Sequence, residues 1–132
     1  MNWITENVAI GSIMDVERAA KECNAILSLV RLPTGVVLPT EIEHQLVEMT
    51  DGGGNGERNV RTAVDFINDF VRDGEKVFLH CHAGRSRSVV ILAIHLMEFY
   101  GLSRGGALAK IQSKREIALT PGIEGMFKFA RV

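Results

Sequence analysis

The stretch from Val77 to Tyr100 leaves few folds open. A short apolar run, Val77-Phe78-Leu79-His80, reads as a buried strand, and Ser86 to Tyr100 reads as a strongly apolar helix that Gly101 ends. A strand without polar alternation needs cover on both faces, and a helix apolar nearly all round needs cover on every side. The rest of the chain supplies it. Val8-Ala9-Ile10 reads as a strand turning at Gly11-Ser12, and from Ile13 the residues Val16, Ala19, Ala20 and Cys23 fall at helical spacing. Ala25 to Val30 reads as a second buried strand. Pro33, Gly35 and Pro39 mark a loop with one helical turn over Thr40 to Gln45, and Leu46-Val47-Glu48-Met49 reads as a third strand. Val60, Ala63, Val64, Ile67, Phe70 and Val71 then line one face of a helix stopped by Gly74, and further helices are expected over Ser103–Lys114 and Gly122–Ala130. Short apolar strands alternating with helices predict an open α/β sheet covered on both faces. Such sheets hold ligands at the carboxyl ends of their strands, which points to the loops after Met49 and after His80.

At 132 residues the chain is expected to form one domain, 1–132. Its 15 lysines and arginines against 16 aspartates and glutamates argue against a nucleic-acid partner. The longest apolar run, Val89 to Ile94, is too short for stable membrane insertion, and Met1 to Glu6 lacks the pattern of a signal peptide. Two cysteines, Cys23 and Cys81, do not make a disulfide scaffold, so a cytoplasmic setting is expected.

The loop His80-Cys81-His82-Ala83-Gly84-Arg85-Ser86-Arg87-Ser88 carries the chemistry. A lone cysteine ends a buried strand, Gly84 permits a tight turn, and the loop closes on a helix N-terminus, where free N–H groups favour an anion. Arg87 adds a planar fork of donors suited to phosphate oxygens. Together these form an oxyanion cradle, His82 to Arg87, with Cys81 at its floor. The same donors should hold the sulfur as a thiolate, well below a reference pKa of about 8.5. Ser88 can donate its hydroxyl to the sulfur when it acts as leaving group. A small buried hydrophobe is the alternative for Cys81, but packing gives no reason for the glycine and arginine spacing. Metal binding is not expected: neighbouring side chains on a strand point to opposite faces, so His80, Cys81 and His82 do not converge. His80 is read as a hydrogen-bonded support and His95 as a satisfied helix histidine.

His-Cys-x-x-Gly-x-x-Arg-Ser resembles the signature loop of the cysteine-based protein tyrosine phosphatases, and its surroundings resemble their compact dual-specificity branch. Val8-Ala9-Ile10-Gly11-Ser12 is similar to that branch's opening strand and turn, and Lys114-Arg115-Glu116-Ile117 to the segment before its last helix. The resemblance implies a five-stranded, mostly parallel sheet flanked by helices. It also implies a general acid on the neighbouring loop, and Asp51, 30 positions before Cys81 (81 − 51), fits, with Glu48 as the fallback. The implied reaction is hydrolysis of phosphate monoesters through a phosphocysteine, with no cofactor. Phosphotyrosine is the expected substrate, and phosphoserine or phosphothreonine on proteins are further ones. Gly52-Gly53-Gly54-Asn55-Gly56 is richer in glycine than the family's pattern and predicts a loosely held acid loop.

Three other readings stand beside this one. Ala83-Gly84-Arg85-Ser86-Arg87-Ser88 is similar to the loop of phosphatidylglycerophosphate phosphatases, which implies a phospholipid or phosphoinositide substrate. A phosphate-binding module without turnover would keep the cradle but needs no acid. A rhodanese-type sulfurtransferase needs neither Arg87-Ser88 nor Asp51. The resemblance also suggests a protective Cys23–Cys81 disulfide under oxidation.

Overall fold

The computed structural model describes residues 1–132. The chain runs β1 (Asn2–Trp3), β2 (Val8–Gly11), a 3-10 turn (Ile13–Asp15), α1 (Val16–Glu22), β3 (Ala25–Ser28), β4 (Glu43–Leu46), α2 (Glu57–Arg72), β5 (Val77–His80), α3 (Arg87–Tyr100), α4 (Arg104–Gln112) and a closing 3-10 stretch (Ile123–Phe129). The strands form one five-stranded sheet in the order β1-β2-β5-β3-β4. Only β1 is antiparallel to its neighbour, and β2, β5, β3 and β4 are all parallel. This is the expected five-stranded, mostly parallel sheet. Its register places Gly11, His80 and Ser28 side by side at the carboxyl end of the three central strands.

Helices cover the two faces unequally. On one face α2, α3, α4 and the closing stretch enclose a core of 29 buried residues, including Leu27, Leu79, Val64 and Ile91. On the other, α1 is the single helix, and with Leu32, Val36, Leu38 and Ile42 of the loop after β3 it covers Ala9, Ile26 and Phe78, in a cluster of 6 that includes Cys23. α3 is buried from Ser88 through Met97, which is why its sequence lacks a polar stripe. α2 shows the opposite pattern, with Val60, Ala63, Val64, Ile67 and Val71 inward and its charged residues outward, except Arg61, which is buried in an ion pair with Glu98 of α3.

Besides β1, Asn2–Trp3, which no sequence pattern suggested, four elements differ from the sequence-based expectation. The third strand is Glu43–Leu46, not Leu46–Met49, and the expected helical turn over Thr40–Gln45 is a turn followed by this strand. β4 is an edge strand whose residues are mostly exposed, so it carries Glu43 and His44 and gives no apolar run. The apolar signal came from Val47 and Met49, which are buried just beyond it while their N–H groups still bond to Ser28 O and Leu29 O at 2.9 and 3.0 Å. The last helix is 3-10 rather than α, since i, i+3 spacing suffices to bury Ile123 and Met126. The first helix begins with a 3-10 turn. There Ser12 Oγ accepts from Met14 N at 3.1 Å, and the Asp15 carboxylate accepts from Ser12 N at 2.9 Å.

Candidate active site

β5 ends at His80, and the chain passes through a loop into the first turn of α3, leaving Cys81 buried at the floor of a cleft. The cleft has a volume of about 230 Å³ and is lined by Asp51, Cys81, His82, Ala83, Arg85, Ser86, Arg87, Ala118 and Thr120. The two loops expected from the sequence therefore meet. Glu48 is not among the lining residues; it is exposed and paired with Arg31 at 2.9 Å.

The sulfur is surrounded by donors. Ser88 Oγ lies 3.2 Å from Cys81 Sγ, and Gly84 N–H donates to it at 3.3 Å. Burial pushes the thiol up, but the Ser88 hydroxyl and the N–H groups of Ser88, Gly84 and Ser86 outweigh it. The net effect holds Cys81 below the ordinary cysteine range. Ser86 precedes α3 without capping it, because its hydroxyl instead accepts from Thr120 N at 3.0 Å. The first-turn amides of α3 are thus left to face the cleft end of the helix.

The loop's shape is fixed from outside. Gly84 has φ +72°, a conformation that side chains disfavour. Arg115 donates to Gly84 O at 2.8 Å, to Ala83 O at 3.0 Å and to Asn2 Oδ1 at 2.8 Å. Ile13 N–H donates to His82 O at 3.0 Å. With its carbonyls drawn outward, the loop has its N–H groups free to turn inward. Sequence reasoning placed Arg115 only in a family-like segment; its bracing role depends on contacts across 31 and 113 positions of chain, which no local pattern shows.

Arg87 is half-buried, with Nη1 donating to Met49 O at 3.2 Å, and its Nε is buried without a protein acceptor. Arg87 and Cys81 line the same cleft, and a guanidinium with an N–H lacking a protein acceptor suits an incoming oxyanion. Arg85 is exposed at the rim, with its guanidinium 3.9 Å from the Glu116 carboxylate. The glycine-rich segment is more tightly held than its composition suggests. Asn55 accepts from Thr50 N at 2.9 Å and donates to Thr50 O at 2.8 Å, clipping the loop that carries Asp51. Gly122 packs against Gly53 so closely that a Cβ there would lie 2.8 Å from Gly53 N.

His80 is fully buried, with Nδ1 bonded to Cys81 O at 2.9 Å and Nε2 to Ser28 Oγ at 2.7 Å. It thus lies hydrogen-bonded behind the loop, while His82 is exposed at the cleft mouth. The suggested Cys23–Cys81 disulfide does not fit. Cys23 lies just before β3, at the amino end of the sheet and in the core under α1, whereas Cys81 follows the carboxyl end of β5 in the other core. The length of a four-residue strand, about 13 Å, separates those ends, beyond the reach of a disulfide.

The family model described as "Dual specificity phosphatase, catalytic domain" matches residues 5–129. Dual specificity protein phosphatase 1 of Arabidopsis thaliana is 36% identical over 81 residues, covering 61% of this chain. The chain spans only 41% of that relative's length. The crystal structure of human DUSP28 superposes with a TM-score of 0.86 at 20% identity, covering 98% of this chain and 95% of that one. The structure of PTPMT1 in complex with PI(5)P gives a TM-score of 0.77 at 21% identity, covering 96% and 92%. These two likenesses speak to the fold, and the family match extends over nearly all of the sequence: the chain belongs to the dual specificity phosphatase catalytic-domain family.

Proposed function

We propose that this chain is a cysteine-dependent protein phosphatase that hydrolyses phosphotyrosine, and phosphoserine or phosphothreonine, with residues 1–132 acting as one catalytic unit. The observation that carries this reading is the donor-ringed sulfur of Cys81, held below the ordinary thiol range in a cleft that Arg87 also lines. A thiolate under an anion cradle suits attack on the phosphorus of a bound phosphate ester.

The Cys81 thiolate attacks phosphorus in line while Arg87 and the N–H groups of His82 to Arg87 hold the phosphoryl oxygens. The bond to the leaving oxygen breaks, and Asp51 gives that oxygen its proton. Water then attacks the phosphocysteine, Asp51 takes a proton from it, and sulfur leaves as a thiolate steadied by the Ser88 hydroxyl, 3.2 Å away. Arg87 couples the two loops through the carbonyl of Met49, two positions before Asp51. Asp51 lines the cleft whereas Glu48 is paired with Arg31 outside it, which supports Asp51 over Glu48 as the acid. The positive field comes from arginine and amides, the task that metal ions perform in other phosphoryl transfers.

The test is hydrolysis of p-nitrophenyl phosphate and phosphotyrosine in EDTA between about pH 5 and 8. Activity should vanish in Cys81→Ser. With phosphotyrosine, Asp51→Ala should lower kcat by about 10²–10⁴-fold. The activated nitrophenyl ester should suffer less, because its leaving group needs little protonation. Tight phosphopeptide binding without phosphate release would instead indicate a binding module, and turnover of thiosulfate a sulfurtransferase.

A phospholipid substrate is the second reading, favoured by the cluster of Arg85, Lys114 and Arg115 beside the cleft and by the fold likeness to PTPMT1 bound to PI(5)P. No helix of the chain is long and apolar enough to cross a membrane. Comparing phosphopeptides with phosphatidylglycerophosphate and phosphoinositides in the same assay separates the two.

A further inference from the structure

Three polar side chains line up on the sheet face that bears α1. Ser28 of β3 and His80 of β5 are register partners and fully buried. His44 of β4 stands opposite Ile26, one step along on the same face, and is exposed at the sheet edge. Ser28 Oγ lies 2.8 Å from His44 Nε2 and 2.7 Å from His80 Nε2, and His80 Nδ1 lies 2.9 Å from Cys81 O. Strands that otherwise carry Ile26, Leu27, Phe78 and Leu79 gain nothing in packing from a buried serine and histidine, whose desolvation must be offset by hydrogen bonds.

The polarity of this chain of bonds is forced. A carbonyl only accepts, so His80 Nδ1 carries a proton toward Cys81 O. Burial holds His80 below the ordinary imidazole range. The bond to Cys81 O opposes that, His44 adds to it, and Asp15 opposes it more weakly. A neutral His80 with Nδ1 protonated has a bare Nε2, which must accept from the Ser28 hydroxyl. The single hydroxyl proton is then used, so Ser28 Oγ accepts from His44 Nε2–H. Donation therefore runs one way, from the exposed ring at the sheet edge to the carbonyl of Cys81.

That carbonyl belongs to the peptide joining Cys81 to His82. In a trans peptide the C=O and N–H point in opposite directions, so drawing the carbonyl back toward the sheet turns the His82 N–H forward into the loop. We propose that His44 is a remote positioning residue for Cys81, acting through Ser28 and His80 to fix the Cys81–His82 peptide. This orientation keeps the sulfur among the donors that maintain it as a thiolate. The proposal rests on Cys81 being the nucleophile, but its test does not depend on turnover alone.

The experiment measures the pH dependence of Cys81 alkylation by iodoacetamide, read peptide by peptide in a mass spectrometer, together with kcat and KM for p-nitrophenyl phosphate. The proteins compared are the native chain, His44→Gln, His44→Phe and Ser28→Ala. His44→Phe removes the donor and should raise the Cys81 thiol pKa by about 0.5–1 unit, with kcat lowered more than KM is raised. His44→Gln keeps an N–H donor and should stay at native values. Ser28→Ala strands the buried His80 nitrogen and should shift the thiol further than His44→Phe; should it fail to fold, the His44 pair decides. The proposal is overturned if folded His44→Phe keeps the native thiol pKa and kcat, or if His44→Gln shifts as far as His44→Phe. A native Cys81 that already titrates in the ordinary thiol range would overturn the functional reading itself, before any variant is made.

Discussion

The carbonyl of Gly11 occupies the space that a side chain on Gly84 would need. A Cβ on Gly84 would overlap Gly11 O, and would stand 2.8 Å from Gly11 C and 2.7 Å from Arg115 Nη2. β2 and the phosphate-cradle loop thus touch backbone to backbone, and the φ of +72° at Gly84 adds a conformational demand. Gly84→Ala carries about 1–2 kcal/mol of left-handed strain on top of the overlap, so the loop must move. A shift of about 1 Å at a reacting centre costs about 100-fold in rate. We expect kcat/KM to fall by at least about that factor, with the Cys81 thiol pKa rising as the Gly84 N–H leaves the sulfur. Steady-state kinetics and alkylation rates against pH check both.

Arg115 spreads one guanidinium over three acceptors, Gly84 O, Ala83 O and Asn2 Oδ1. A point charge on a flexible stem cannot match that fork, so Arg115→Lys should fail to restore what Arg115→Met loses. Each lost bond to a charged donor is worth about 1.5–3 kcal/mol in partly buried settings. Both variants should show a lowered urea midpoint and a raised KM for phosphate esters. Native kinetics in Arg115→Met would show that the loop holds its shape without the brace.

What was legible in the sequence follows from the range over which each signal acts. The strand–loop–helix from Val77 to Tyr100 declares itself locally, because burial on all sides writes a continuous apolar run. Cys81, Gly84, Arg87 and Ser88 sit at fixed offsets within one loop, so their meeting place needed no tertiary information. Asp51 reached the cleft as expected because the loop after β4 faces the loop after β5 across a parallel sheet. β4 itself was misplaced, since an exposed edge strand bearing Glu43 and His44 carries no apolar periodicity. β1, only Asn2–Trp3, is too short to register as a pattern. Arg115 and the His44–Ser28–His80 chain were invisible for another reason: their partners are distant in sequence, and a polar residue in a strand looks like any other until its neighbour is known.

Cys23 and Cys81 should respond differently to peroxide. Cys81 is held toward the thiolate, whereas burial first, with Glu22 adding and Lys76 opposing, pushes the Cys23 thiol up to about 11. The thiolate is the reactive form, so oxidation should fall on Cys81 alone. Peptide mass spectra after mild treatment should show oxidised Cys81, unmodified Cys23 and no peptide linking the two. A Cys23–Cys81 linkage in monomeric protein would contradict the placement of the two residues at opposite ends of the sheet.

His95 should make the fold sensitive to mild acid. It is fully buried in α3, with Nδ1 donating to Asn68 Oδ1 at 2.6 Å and Nε2 lacking any partner. Burial lowers its pKa from 6.5 to about 4, with the Glu98 carboxylate opposing. As pH falls through that window the unfolded chain takes up a proton that the folded chain refuses. Stability is therefore complete above about pH 6.5 and declines by about 3 kcal/mol on approaching pH 4. His44 and His80, also held low, act in the same direction. His95→Asn keeps an N–H donor at the Nδ1 position for Asn68 but cannot titrate, so the difference between the two proteins isolates His95. Urea midpoints at pH 7.5, 6 and 4.5 should diverge as acid is added, the native chain losing more than the variant. Parallel midpoints would mean that His95 takes up its proton in the folded protein as readily as in the unfolded one.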